Sequence, residues 1–203
     1  ITGVAGFIGS KVAEKFVKKK YNVIGVDNLS TGKIRNIPKG IKFIRGDLSK
    51  KNVINLLPKK CYQILHLAGQ SSGEISFENP VNDLKKNTES TLNLISYGIK
   101  RKVKLFLYAS SMSVYGNLNK KKLSEKNQCS PLSCYGIGKL ASENYLKIFS
   151  KQLPYISFRM FSVYGPGQDM NNFRQGMVSI YLAQALKYKK ILVKGSLSRV
   201  RDF

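Results

Sequence analysis

Three glycines in the opening run Thr2-Gly3-Val4-Ala5-Gly6-Phe7-Ile8-Gly9 constrain the fold of this chain more than any other feature. In a strand-turn-helix setting, the first glycine makes a tight turn and the second lets a phosphate approach the backbone. The third lets the helix lie close to the sheet. An apolar stripe of Phe7, Ile8, Val12, Phe16 and Val17 follows at once, which predicts a helix over 7–20. Tyr21 to Asp27 then reads as a strand whose apolar run ends in a carboxylate.

The alternation continues along the chain. Strands are expected at Ile41 to Ile44, Ile64 to Ala68, Val103 to Ala109 and Tyr155 to Arg159. Helices are expected after Gly46-Asp47-Leu48 up to Pro58, over 80–98 from Pro80 to Gly98, and over 132–151. This order predicts an α/β fold, a Rossmann-type doubly wound parallel sheet covered on both faces. Residues 160–173, with Tyr164-Gly165-Pro166-Gly167, read as a loop, followed by a helix at about 174–187 and a short strand at 191–194. The expected division is a dinucleotide-binding domain over 1–160 and the start of a smaller substrate-binding portion over 161–203. Both ends read as cuts through a larger protein, with most of the first strand and a substantial C-terminal part expected to be missing.

In this setting Gly3, Gly6, Phe7, Ile8 and Gly9 are candidates to hold a dinucleotide pyrophosphate. Asp27 is placed to accept from the adenosine ribose hydroxyls and to repel a 2′-phosphate, which favours NAD over NADP. Asn28, Ser30 and Thr31 either add polar contacts or form a turn. Asp47 either accepts from the adenine amino group, with Leu48 against the ring, or caps a helix. His66, the single histidine, reads as structural and near the cofactor, since a metal site would lack partners.

The chemistry is expected in Ser133-Cys134-Tyr135-Gly136-Ile137-Gly138-Lys139. Tyr135 and Lys139 lie one helical turn apart and project from the same side. A free phenol ionises near pH 10, so an adjacent ammonium and a positive nicotinamide ring would favour phenolate. Tyr135 is therefore the candidate base, and Lys139 the candidate partner that also holds the nicotinamide ribose. Ser111, following Ser110 at a strand end, is the candidate donor to the reacting oxygen. The pattern points to redox chemistry at a hydroxyl group.

The net charge of +24, from 35 Lys and Arg against 11 Asp and Glu, raises nucleic-acid binding as an alternative. The lysines are dispersed among helix ends and loops without a base-reading module, so no nucleic-acid partner is expected; some of the charge suits an anionic substrate. No run approaches membrane-spanning length. Cys61, Cys129 and Cys134 lack metal-site spacing, so free thiols in a cytoplasmic setting are expected, with no metal.

The chain resembles the extended short-chain dehydrogenase/reductase family, in its branch of nucleotide-sugar epimerases and dehydratases. The resemblance spans essentially all of the chain. It rests on the glycine turn, Asp27, Gly46-Asp47-Leu48, His66-Leu67-Ala68-Gly69, Ser110-Ser111, Val114-Tyr115-Gly116, the Tyr135 and Lys139 pair, Arg159 to Pro166, and Arg201-Asp202-Phe203. It implies NAD as cofactor, with Ser111, Tyr135 and Lys139 catalytic. It adds Leu67, Ala68, Gly69, Asn87 and Ser110 to the cofactor side, and Ser111, Ser162 and Arg201 to the substrate side.

Arg201 matches the family's diphosphate-binding arginine; Ser162 stands where the family usually has Asn. Arg199, Gln175, Met177 and the segment Gln70 to Glu74 are weaker substrate-side candidates. Dehydratase-like members usually show Thr-Asp-Glu before Val-Tyr-Gly, whereas this chain has Ser111-Met112-Ser113. That departure favours NAD-dependent epimerisation of a nucleotide-diphosphate sugar, at C4 of a UDP-hexose, through a transient 4-keto intermediate. A reductase, a decarboxylase, a dehydratase, another epimerase and a non-catalytic NAD-binding protein remain as alternatives. The resemblance also implies a homodimer paired through the helices at 80–98 and 132–151, and a place in supplying activated sugars for polysaccharide synthesis.

Overall fold

The structure is a computed structural model that describes residues 1–117, 123–174, 176–193 and 195–197. The chain separates into two compact units that divide between Arg159 and Met160. In the first unit, β1 (Ile24–Asp27) pairs in parallel with β2 (Lys42–Arg45), with Ile24 opposite Lys42. β3 (Gln63–His66) pairs in parallel with β4 (Leu105–Ser111), and β5 (Tyr155–Met160) lies on the other side of β4.

Thr2 joins the two groups, forming parallel bridges to Val26 of β1 and to His66 of β3. The backbone confirms its central place: the Thr2 amide donates to the Leu65 carbonyl at 2.9 Å and the Gly3 amide to Val26 at 2.8 Å. The lateral order is thus β2, β1, the Ile1–Gly3 segment, β3, β4, β5. That is the Rossmann-type arrangement, and it sets the strand C-terminal ends along one edge.

The helices follow local signals. α1 (Phe7–Lys18) starts directly after Gly6, and α2 (Lys51–Asn55) is a short crossover piece. α3 (Gly73–Glu78) begins at Ser72, whose hydroxyl accepts from the Ile75 amide at 3.3 Å. α4 (Pro80–Leu84) has Pro80 in its first turn, where a missing N–H is harmless, and Asn79 caps it by accepting from the Asn82 amide at 3.0 Å. Lys85–Glu89 then adopts a π turn before α5 (Ser90–Lys100), with helical backbone maintained at both junctions.

The expected helix over 80–98 is therefore interrupted in its hydrogen-bond ladder. The Asn87 carbonyl accepts from the Thr91 hydroxyl at 2.6 Å and the Ser142 hydroxyl at 3.3 Å, side-chain insertions of the kind that disturb a helical ladder. The wider turn buries both Asn87 and Thr88. α6 (Cys134–Ile148) is capped by Ser133, whose hydroxyl accepts from the Gly136 amide at 3.1 Å.

The main core gathers Phe106, Tyr108, Leu94, Ile95, Leu146 and Leu153, drawn from β4, α5, α6 and the turn before β5. A smaller cluster of Val4, Ala13 and Val23 lies under α1. In the second unit, an irregular segment leads to α7 (Met177–Tyr188). The expected strand at 191–194 is not formed over Ile191–Val193. The Leu192 amide donates to the Gln184 side chain at 2.9 Å, a local contact in place of a strand partner. The short α3 was not anticipated from sequence, because its six residues carry too little periodicity to register.

Phe106, on β4 between β3 and β5, is fully buried. Phe106→Ala is expected to lower unfolding stability by about 3–5 kcal/mol, read from urea unfolding midpoints at constant m-value.

Candidate active site

The glycine turn is shaped by contacts that exclude side chains. A Cβ on Gly9 would lie 2.0 Å from the Gly3 carbonyl oxygen, so α1 crosses the turn at backbone contact. Gly3 has φ +69°, and a Cβ there would meet the Ala68 nitrogen at 2.8 Å. Gly6 caps α1 without a side-chain hydrogen bond, and the first turn of this 12-residue helix carries no acidic residue. Phe7, Ile8 and Gly9 thus stand in a helix N-terminus that favours an anionic group.

Four of the expected residues, Asp27, Asn28, Ser30 and Asp47, lie at the ends of β1 and β2, the last three linked by hydrogen bonds. The Asp27 carboxylate accepts from the Ala5 amide at 2.9 Å and the Leu29 amide at 2.8 Å, tying the strand end to the glycine turn. Two lone pairs remain on it for hydroxyl donors. Asn28 donates to Asp47 at 3.4 Å and its oxygen accepts from the Ser30 amide at 3.0 Å, so Asn28 and Ser30 do form a turn. Asp47 is not the cap of α2, which starts from Lys50. It accepts from the amide and hydroxyl of Ser49, at 2.9 and 2.8 Å. Burial pushes its carboxyl up, but the hydrogen bonds from Ser49 and Asn28 and the charge of Lys86 hold it below its usual value. Leu48, next to Asp47, packs into the main core.

His66 connects the glycine turn to the helix that carries Asn87. The Thr2 hydroxyl oxygen accepts from the Leu67 and Ala68 amides, each at 3.1 Å, so its proton is free to go to His66 Nδ1 at 2.7 Å. His66 Nε2 then donates to the Thr91 hydroxyl at 3.0 Å, whose own proton goes to the Asn87 carbonyl. This network assigns the Nε2–H tautomer. Burial, helped by the charge of Lys139, lowers the ring's pKa to about 3, so His66 is neutral. Leu67, Ala68 and Gly69 are thereby fixed beside Gly3. Gly69 lies against Asn87: a Cβ on it would meet Asn87 Oδ1 at 2.5 Å and Lys139 Nζ at 3.4 Å.

At the other end of the cleft edge, Tyr135 and Lys139 are buried on α6 at 8% and 5% exposure, and Ser111 closes β4. Lys139 Nζ donates to the Ala109 carbonyl at 2.9 Å and lies 5.7 Å from the centroid of the Tyr135 ring. Burial lowers the lysine to about 8, against the raising effect of Asp83. The expectation that Lys139 lowers the Tyr135 phenol is not met in the cofactor-free protein. Burial, together with the charge of Asp83, pushes the phenol up, and the Ser111 hydroxyl alone pulls it down. The ammonium is held to a carbonyl, over the ring face rather than at the hydroxyl. Ser111 also accepts from the Ser113 amide and donates to the Ser113 hydroxyl, both at 3.2 Å.

Ser110 departs from the cofactor role expected of it. Strand alternation turns it to the opposite face from Ser111, where its hydroxyl donates to Glu143. Glu143 is in turn bound through two guanidinium nitrogens of Arg159, the closest contact being 2.8 Å. Ser162 lies in the irregular segment of the second unit, where Met177 starts α7. Arg201, with Arg199 and Gln175, lies outside the described residues.

Sequence reasoning missed Asp83, the Thr2 hydroxyl and the Glu143–Arg159 pair as parts of this network. For Asp83 a signal existed, since it lies one helical turn before Asn87. Among the described residues, no group of three or more His, Cys, Asp or Glu side chains is placed to hold a metal. No helix among them is long and apolar enough to cross a membrane.

The pieces fit a dinucleotide: an uncapped helix N-terminus, carboxylates at two adjoining strand ends, and a buried Asn87 Oδ1 with no hydrogen-bond partner among the described residues. Fold and site together define a Rossmann-type dinucleotide-binding protein with a tyrosine–lysine pair buried beside the end of β4. The chain belongs to the NAD dependent epimerase/dehydratase family, which matches it over residues 1–203. It is similar to the UDP-glucose 4-epimerase of Mycolicibacterium smegmatis, at 31% identity over all of this chain and 67% of that protein. It is 34% identical to UDP-glucuronic acid decarboxylase 1 of Xenopus tropicalis, over all of this chain and 49% of that one. The crystal structure of UDP-glucose 4-epimerase from Thermotoga maritima with UDP-glucose superposes with a TM-score of 0.92 at 35% identity, covering 99% of this chain and 67% of that one. The chain thus spans about two-thirds of these epimerases and about half of the decarboxylase.

Gly9→Ala is expected to cost about 1–3 kcal/mol through overpacking of the turn, seen as a lower melting temperature, and to weaken NAD binding measured by calorimetry. His66 generates a pH dependence of stability. The unfolded chain takes up a proton on this ring near pH 6.5, whereas the folded chain does so only near 3, so stability is present in full above 6.5 and is lost as pH falls towards 3. Urea midpoints should register about 2 kcal/mol of this loss between pH 6.5 and 5, and His66→Gln should remove that part of the slope.

Proposed function

We propose that this chain is the cofactor-binding and catalytic part of an NAD-dependent epimerase that inverts C4 of a UDP-linked hexose. The observation that carries the reading is the burial of Tyr135, Lys139 and Ser111 together, with a hydroxyl rather than a carboxylate at position 113. A dehydratase needs acid and base groups there to remove water; Ser113 offers neither.

NAD, when bound, supplies the hydride acceptor and a positively charged ring. Tyr135 takes the proton of the sugar hydroxyl as the C–H bond breaks, and returns it when the 4-keto sugar is reduced on its other face. Burial raises its phenol, so positive charge beside it favours the phenolate form that acts as base. Ser111 steadies the reacting oxygen, and Lys139, held in place by the Ala109 carbonyl, is poised for the ribose hydroxyls. The glycine turn and the helix N-terminus take the pyrophosphate, Asp27 the adenosine ribose, and Asp47 the adenine. The sugar's diphosphate is assigned to Ser162 and Arg201 on the family resemblance.

The relatives favour one second reading, decarboxylation of a UDP-glucuronate, since a decarboxylase matches at an identity similar to that of the epimerases.

A homodimer belongs to this reading. Val81 and Leu84 on α4 and Ile137 and Ile148 on α6 are 56–71% exposed, an apolar surface on two helices that pack side by side. A second copy bringing the same helices would bury it.

The test is conversion of a panel of nucleotide sugars by the protein extended to the length of its relatives, with catalytic NAD and products resolved by NMR. A C4 epimer without net NADH is expected; loss of carbon dioxide from UDP-glucuronate would establish the second reading instead. Tyr135→Phe should reduce turnover by about 10²–10⁴-fold while leaving NAD bound. In light scattering, Val81→Glu combined with Ile148→Glu should convert a dimer to a monomer.

A further inference from the structure

A buried carboxylate stands at the junction of the sugar-side turn, the cofactor-side asparagine and the catalytic lysine. Asp83, the fourth residue of α4, is 1% exposed. Its Oδ1 accepts from Gln70 Nε2 at 2.8 Å and from Asn87 Nδ2 at 3.0 Å. Gln70 in turn clamps the turn that leads into α3: its Nε2 donates to the Ser72 carbonyl at 2.7 Å and its Oε1 accepts from the Ser72 amide. Asp83 Oδ2 has no hydrogen-bond partner among the described residues. It faces α6 at the residue before Lys139, where a Cβ on Gly138 would lie 3.5 Å from it. A buried carboxylate oxygen with no donor is costly unless a charge compensates it.

Lys139 is the cation beside this cluster, without direct ion-pair contact to Asp83: a Cβ on Gly69 would meet both Lys139 Nζ, at 3.4 Å, and the side chain of Asn87, which itself donates to Asp83. The ionisable groups around this lysine are few. Asp83 comes from α4, His66 from β3, Tyr108 from β4 and Tyr135 from the lysine's own helix. His66 is neutral, and burial pushes the Tyr108 phenol up, so neither offers a negative charge. Glu143, also on α6, is engaged by Arg159. The Ala109 carbonyl gives Lys139 one dipole. Asp83 is therefore the one carboxylate among the described residues that raises Lys139 against its burial. Burial leaves the Asp83 carboxyl raised above its ordinary value, opposed in turn by the hydrogen bonds from Gln70 and Asn87 and by the charge of Lys139.

We propose that Asp83 is a positioning residue for the reaction: it is the buried counter-charge that keeps Lys139 protonated, and it ties the Gln70–Ser72 turn to Asn87 through the same carboxylate. The role rests on the reading that Lys139 serves the tyrosine base. It would make the charge state of the reacting end depend on a residue that touches neither cofactor nor substrate. Without Asp83, Lys139 would lose its proton within the neutral range, and Asn87 and Gln70 would both lose their shared anchor.

Two measurements separate this proposal from the functional reading. In the cofactor-free protein carrying 13C-labelled lysine, Lys139 should titrate by NMR near pH 8 and be assigned by its loss in Lys139→Met. Asp83→Asn, which keeps an oxygen for Gln70 and Asn87 but removes the charge, should move that titration down by roughly one unit or more. An unchanged Lys139 titration in a folded Asp83→Asn protein overturns the proposal. Should that variant fail to fold, the unmutated protein decides, since the Asp83 13Cγ resonance must report an ionised carboxylate at pH 7. A carboxyl still protonated there also overturns it.

In turnover, Asp83→Asn should carry the alkaline limb of the kcat profile downward by the same shift. Gln70→Ala, which breaks the turn contact and one hydrogen bond to Asp83 but leaves the Asp83 charge, should raise KM for the sugar and move that limb less than Asp83→Asn does. Absence of epimer formation alongside a shifted Lys139 titration would sink the functional reading while leaving the charge pairing intact. A functional epimerase with an unshifted lysine would do the reverse.

Discussion

Backbone contact between the start of α1 and the turn before it is the constraint on which the cofactor end depends. The Gly3 carbonyl occupies the place that a side chain on Gly9 would need, and Gly3 itself lies against the backbone of Ala68. The helix therefore begins directly over the central strand position, with its amides uncapped and directed towards the edge where the strands end. Thr2 reinforces that arrangement through one hydroxyl group, which accepts from two amides on the neighbouring loop and donates to His66. A single methyl group at Gly9 would push apart elements that the rest of the sheet holds at fixed spacing.

A second layer of organisation lies between the helix 80–100 and α6. The π turn at Lys85–Glu89 brings Asn87 and Thr88 inward together, and the Thr88 hydroxyl donates to the Gly138 carbonyl at 3.2 Å. Ser142 is shared between the Gly138 and Asn87 carbonyls. These contacts are polar and buried, and they pin the backbone beside Lys139 more specifically than apolar packing would. The outer surfaces of the same two helices are apolar and exposed. One pair of helices thus fixes the surroundings of Lys139 on its inner side and carries exposed apolar side chains on its outer side.

The fold was largely legible in the sequence because its signals are local. Glycine spacing, apolar runs ended by Asp27 and Asp47, and Pro80 and Ser133 at helix starts each act within a few residues. The errors fall where partners are distant. Ser110 was assigned with Ser111, yet strand alternation sends its hydroxyl to Glu143 on α6. The segment 191–194 had strand composition but no neighbouring strand over its described residues, and its Leu192 amide went to Gln184. The phenol of Tyr135 was expected to be lowered by Lys139, since spacing shows that both share a helix side but not where the ammonium is tethered.

What the sequence determined by itself is the kind of machine: a dinucleotide turn, an acidic strand end suited to ribose, and a tyrosine and lysine one turn apart on a helix. Each of those follows from residue type and short-range spacing. Only the tertiary structure decided the electrical state of the reacting end. Burial sets Lys139 near 8, holds His66 neutral and raises Tyr135, and Asp83 enters from another helix as the opposing charge. Desolvation and charge pairing depend on which groups the folded chain brings within a few ångströms of one another, and sequence distance carries no record of that.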